Sequence, residues 1–210
     1  MLISFMGSSR QRVSLAGVSQ GAANNAFRRA AGQDRLADMI RARLLLLLGA
    51  IPAFVIVLLV CLNARYFFGW VTLPADDAAD RLAFAVRWLL LPGIALLIGV
   101  QFAGRRFVSP ELLEGTRTPT DRGFEINLRY NTNTLEQVVL AAIAWNGLAL
   151  ALPQDRLVLI PGMAFLFFVG RITFWISYRI HPLARSFGMV LTALPTVAAY
   201  LWLIFHAVRG

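Results

Sequence analysis

LLLLLGAIPAFVIVLLVCL, residues 44–62, runs for 19 residues without a charge. A helix crossing a hydrocarbon layer of roughly 30 Å needs about 20 mostly apolar residues, so this stretch reads as a membrane span. Four more follow it: Leu82–Ala103 holds only Arg87, Thr134–Leu152 only Glu136, Leu157–Tyr178 only Arg171, and Ser186–Val208 no charge at all. The whole chain of 210 residues is 58% hydrophobic and 15% charged, against roughly 25% charged in an average soluble domain. The links around Pro153–Arg156 and Arg179–Arg185 are too short for anything but antiparallel neighbours. The fold class is therefore all-α integral membrane, with five helices in total. Residues 1–40 read as a flexible basic arm, 41–68 as a first helix, and 82–210 as a four-helix domain.

A net charge of +9 could signal nucleic acid, but its distribution says otherwise. The N-terminus, the 105–129 loop and the 179–185 turn share one side of the membrane and hold 14 arginines. The other side has Arg65, Arg81, Arg87, Arg156 and Arg209, together with Asp76, Asp77 and Asp80. The positive-inside bias places the N-terminus in the cytoplasm and the C-terminus outside; the expected membrane is a bacterial inner membrane. Topology accounts for the charge and no aromatic-basic patch accompanies it, so nucleic acid is not an expected partner. The basic arm reads as a topology signal touching anionic lipid. Because its apolar run begins only after residue 43, the first helix is a signal anchor rather than a cleaved leader.

Cys61 is the only cysteine, which excludes an intramolecular disulfide and a thiolate metal cluster. His181 and His206 are too isolated for a metal site. Dinucleotide, P-loop, zinc-protease and serine-hydrolase patterns are all missing.

The chemistry gathers at one end of the helices. In LRYNTNTLEQVVL, residues 128–140, Arg129, Asn133 and Glu136 are spaced by four and three and share a helical stripe. Charges there cannot comfortably face lipid, where each costs a few kcal/mol or more, so the stripe faces protein or a wet cleft. Arg171 lies inside the next apolar run with Tyr178 seven residues on, and Arg185 and Ser186 open the last helix. Arg105 and Arg106 follow the second helix on the same side. A purely structural reading pairs Glu136 with Arg129 or Arg171 and leaves Tyr178 as an interfacial anchor. Against it stands the surplus of cation, since one carboxylate cannot neutralise Arg129, Arg171 and Arg185; on this second reading the missing anion is supplied as a ligand.

These residues carry a resemblance. R129-Y-N-T-N133-T-L-E136, then R171-I-T-F174-W-I-S-Y178, then R185-S186 is similar to the motif series of the membrane-associated proteins in eicosanoid and glutathione metabolism, the MAPEG family. GRRFVSPELL, Gly104–Leu113, resembles the end of that family's first helix and the loop after it. The resemblance covers roughly residues 82–208.

What it implies is a four-helix MAPEG-type bundle that forms a homotrimer, with glutathione bound between protomers as the cosubstrate. Arg129, Asn133 and Glu136 would hold the tripeptide, an arginine of the Arg105–Arg106 pair would reach in from the adjoining protomer, and Arg171 and Tyr178 would line the pocket. Arg185 would stabilise the thiolate, with Ser186 donating to sulfur or to a substrate oxygen. The implied activity is a glutathione transferase or peroxidase of detoxification or lipid metabolism, acting on a lipophilic small molecule that arrives from membrane lipid. Guanidinium groups suit bidentate carboxylate capture, and a nearby cation makes a thiol reactive by favouring its thiolate. The chain departs from the family pattern at Gln137, at Phe174 and at Asn131, and by its extra N-terminal transmembrane helix. Its layout is similar to that of mattrin-like vertebrate membrane proteins. The alternative is a non-catalytic MAPEG-like protein that binds lipid or scaffolds a partner. An intramembrane Arg171 also suits a channel or transporter, but no internal repeat accompanies it.

Overall fold

The computed structural model describes Arg35 and residues 38–104 and 122–209. Contacts divide the chain into two compact units, Met1–Leu44 and Leu45–Gly210. Most of the first unit, the arm read above, lies outside the described residues, as do Arg105 and Arg106.

Five helices among the described residues are long and apolar enough to cross a membrane. They are α1 (Asp38–Leu62), α3 (Ala78–Ala103), α4 (Arg122–Ala151), α5 (Leu159–Ile180) and α6 (Ser186–Arg209). A short helix, α2 (Ala64–Phe68), follows α1, and a 3-10 turn, Gln154–Arg156, joins α4 to α5. The protein is an all-α integral membrane protein. Its helices overrun the apolar segments at their ends, and most of all α4, which begins at Arg122 and not at Thr134. Hydropathy marks only the part of a helix that meets hydrocarbon, whereas backbone hydrogen bonding continues into the polar boundary. Arg129, Asn133 and Glu136 thus lie well inside a helix.

α5 is the central helix, with 67% of its most apolar window buried against 11% for α1. Its Ala164 and Phe167 pack with Ala141, Ala144 and Trp145 of α4, and Trp145 meets Phe167 edge-on at 6.2 Å. The many alanines let backbones approach, which is how membrane helices associate when lipid is as apolar as their side chains. α5 and α6 approach backbone to backbone. A Cβ on Gly188 would overlap the Gly170 carbonyl oxygen and the Phe174 backbone nitrogen, so only glycine fits there. On the other side of this pair, Ala53 and Val57 of α1 pack with Leu166 of α5 and Leu191 of α6. The large apolar side chains left exposed, such as Leu97, Ile143 and Leu201, form the surface presented to lipid.

Each end of the bundle has its own fastening. Asp77 caps α3 by accepting from the backbone N–H groups of Ala79 (2.9 Å) and Asp80 (3.4 Å). The nearly buried Arg81 sends Nη1 to the carbonyl oxygens of Ala149 (3.1 Å) and Leu152 (2.8 Å) and pairs through Nη2 with Asp76. It thereby satisfies carbonyls that the C-terminus of α4 leaves without intrahelical donors. At the other end, α5 stops at His181, whose extended backbone (φ −151°, ψ 136°) is the conformation a following proline imposes. That end, where α3 and α5 finish and α4 and α6 begin, carries the motif residues.

Candidate functional site

Arg171 anchors the site. It is 0% exposed, and it reaches both neighbouring helices at once. Nη1 donates to Asn133 Oδ1 of α4 at 2.7 Å, and Nε donates to Thr192 Oγ1 of α6 at 3.1 Å. Thr192 in turn donates to the carbonyl of Gly188 at 2.8 Å, one turn back along α6. The guanidinium carbon stands 4.7 Å from the Phe174 ring centroid. Nη2 is buried with no hydrogen-bond partner. Among the described residues no carboxylate pairs with this cation, a costly arrangement at membrane depth.

From Arg171 an aromatic column leads along α5 toward the motif end. Phe174 meets Tyr178 edge-on at 5.7 Å and Tyr130 of α4 at 6.2 Å. Arg185, at the mouth of α6, places its guanidinium carbon 4.8 Å from the Tyr178 ring centroid. The Tyr178 hydroxyl accepts from Arg129 Nη1 at 3.4 Å, and Arg129 Nη2 pairs with Glu125 at 2.7 Å. Arg129 of α4, Arg171 of α5 and Arg185 of the turn before α6 thus face a short column of rings with a single ion-paired carboxylate, Glu125. Such a surface takes anions, and its rings give an apolar wall beside them.

The structure brings Asn133 to Arg171, and Arg129 and Arg185 to Tyr178. It does not bring in Glu136, which is exposed and makes no hydrogen bond or ion pair among the described residues. The structural pairing of Glu136 with Arg129 or Arg171 is therefore not the one formed. Ser186 turns toward α1: a Cβ on Gly49 would overlap its hydroxyl, and Ser186 Oγ is buried without a partner. Arg105 and Arg106 lie outside the described residues.

Several contributors went unread in the sequence. Glu125 was legible as the residue four before Arg129, the spacing of a helical ion pair. Tyr130 donates to the Ala95 carbonyl at 3.1 Å, where Gly99 makes room for its ring on α3. Trp175 donates to Asn127 Oδ1 at 2.9 Å, stacks on Phe102 at 5.1 Å and carries Arg179 on its ring at 3.9 Å. Nothing in the sequence marks Thr192 except its place four residues after the close-packed Gly188. Asn131, where the family pattern carries another residue, has a buried Oδ1 without a partner.

The sequence profile of the MAPEG family matches residues 82–205, which span α3 to α6 and hold all the contacts among Arg129, Asn133, Arg171, Tyr178 and Arg185. The chain belongs to the MAPEG family. Within this MAPEG chain α1 lies ahead of the matched region, so it is an addition to the four family helices. Among characterised proteins, mouse transmembrane protein 79 is 24% identical over 159 residues, covering 73% of this chain and 40% of its own length. Bovine transmembrane protein 79 is 26% identical over 128 residues, covering 61% of this chain and 32% of its own length. The chain thus spans well under half the length of these relatives. No solved structure matches.

Proposed function

We propose that this MAPEG protein is a glutathione-dependent transferase or peroxidase acting on a lipophilic electrophile delivered by the bilayer. The observation that carries the reading is the unbalanced cation of the motif end: Arg171 buried with Nη2 unpartnered, and Arg185 held on a tyrosine ring with no carboxylate partner among the described residues. A tripeptide with two carboxylates and a thiol answers both needs. Glutathione would supply the nucleophilic sulfur. Arg129 and Asn133 would bind its polar groups, Glu136 would take its amine from the exposed face, and Tyr178 would shape the floor. Arg185, free to leave its ring contact, would hold the sulfur as thiolate, because a positive neighbour favours the ionised thiol. Ser186 would add a hydroxyl donor.

In this reading the motif end is cytoplasmic, the N-terminus cytoplasmic and the C-terminus outside, in a bacterial inner membrane. The chain works as a homotrimer, in which an arginine of the 105–106 pair completes a neighbour's site. One observation favours the alternative, a non-catalytic protein that binds lipid or scaffolds a partner: the Ser186 hydroxyl is covered by α1 at Gly49. The test is glutathione conjugation to a lipophilic aryl halide, with the ultraviolet absorbance of the bound thiolate read in parallel. Arg185→Ala should remove the thiolate band and the turnover together. Turnover that survives Arg185→Ala, or a wild-type protein that binds glutathione without a thiolate band, would overturn the role given to Arg185.

A further inference from the structure

We propose a second ligand site, independent of the glutathione reading: a pocket for a single-chain amphipath with an anionic head, of the long-chain carboxylate class. It is a cavity of about 650 Å³ between α1, α4, α5 and α6, in the half of the bundle away from the motif end. That volume lies within the range of about 300–1,000 Å³ typical of small-molecule sites.

Its shape and lining identify the ligand. The α1 wall is Phe54, Val57, Leu58 and Cys61, a single helical face, and the α6 wall runs from Leu194 to Trp202. Eight residues of helix rise about 12 Å, so the cavity is a slot along the bundle axis, shaped for an alkyl chain parallel to the helices. α1 forms one long wall of this slot, so the helix outside the family match is what makes the site.

At one end the lining changes character. Arg156 is the one charged residue among the described lining residues. Its Nε is 3.7 Å from Asp155 Oδ2, and Arg65 Nη1 approaches that same oxygen at 3.9 Å. Both distances exceed a direct hydrogen bond, and two guanidinium groups share one carboxylate, leaving a positive charge in excess at the slot's end. Of the other acids at this end of the bundle, Asp76 pairs with Arg81, Asp77 caps α3, and Asp80, in the first turn of α3, forms no ion pair with Arg65 or Arg156 among the described residues. An apolar slot closed by one surplus arginine fits a single alkyl chain ending in a carboxylate. A zwitterionic phospholipid has two chains and no net charge to offer.

The experiment is photolabelling of the full chain in phosphatidylcholine nanodiscs with a diazirine-bearing palmitate, the labelled residues being mapped by mass spectrometry. Labelling is expected on α1 around Leu58 and Cys61 and on α6 between Leu194 and Trp202. Palmitate should compete at least tenfold better than methyl palmitate. Arg156→Gln, at an exposed side chain, should abolish that preference, and Ala198→Trp should block labelling of the slot. Label scattered over the lipid-facing helices, equal competition by acid and ester, or a preference that persists in Arg156→Gln would each overturn the proposal. Arg156→Gln decides the matter even where Ala198→Trp fails to fold.

Discussion

Arg171 of α5 and Asn133 of α4 are joined by a 2.7 Å hydrogen bond from Nη1 to Oδ1, and Arg171 is fully buried. A buried cation held by neutral acceptors makes the centre of the bundle sensitive to either partner. Asn133→Ala should lower stability by about 1–3 kcal/mol or more, because it strands a guanidinium donor away from water. Arg171→Met combined with Asn133→Leu should recover much of that loss. Denaturant titration of the detergent-solubilised variants measures it. A double variant no more stable than Asn133→Ala would show that the arginine is not the stranded group.

The α5–α6 crossing depends on missing side chains. Gly188→Ala introduces a Cβ that overlaps the Gly170 oxygen and the Phe174 nitrogen. It should cost about 1–3 kcal/mol, as overpacking in a close-packed interior does. Since this crossing also sets the distance from Arg171 to Thr192, glutathione affinity should fall with stability. Gly93→Ala, on α3 in open space, is the control and should change neither.

Much of the architecture was legible because a membrane leaves few solutions. An uncharged run such as Leu44–Leu62 can hardly be anything but a helix when every backbone group must be paired internally. The site was less legible. Spacing showed that Arg129, Asn133 and Glu136 share a stripe, but not which way it faces. Residues seven apart drift by only about 20°, so Arg129 and Glu136 stay together on the exposed side, while Asn133 is turned toward α5. Partners from other helices, such as Thr192 for Arg171 and Gly49 for Ser186, depend on helix rotation and crossing, which no local pattern encodes.

Arg81 should matter for stability and not for the motif end. Arg81→Gln removes a guanidinium that holds the Ala149 and Leu152 carbonyls together with Asp76. A loss of about 1–3 kcal/mol is expected, with glutathione binding unchanged. Arg81→Lys should recover only part, since an ammonium lacks the planar fork. Thermal unfolding beside ligand titration separates the two effects.

Tyr178 has separable parts. Tyr178→Phe keeps the ring beneath Arg185 and loses the hydroxyl facing Arg129, whereas Tyr178→Leu loses both. The ring contact is worth about 0.5–2 kcal/mol. Tyr178→Phe should therefore shift glutathione affinity only modestly and leave kcat near wild type, while Tyr178→Leu should lower kcat as Arg185 loses its seat. Steady-state kinetics of both variants distinguishes them, and equal effects on kcat would place the function in the hydroxyl.

Calorimetric titration of glutathione into the purified, detergent-solubilised protein tests the central claim most directly, with Arg129→Ala and Arg185→Ala alongside. The account predicts binding by the wild type, weakened by Arg129→Ala and largely retained in Arg185→Ala, whose defect lies in thiolate formation. A well-folded wild-type protein that takes up no glutathione at millimolar concentration would contradict it, and would leave the arginines of the motif end to a lipid or to the packing of the bundle.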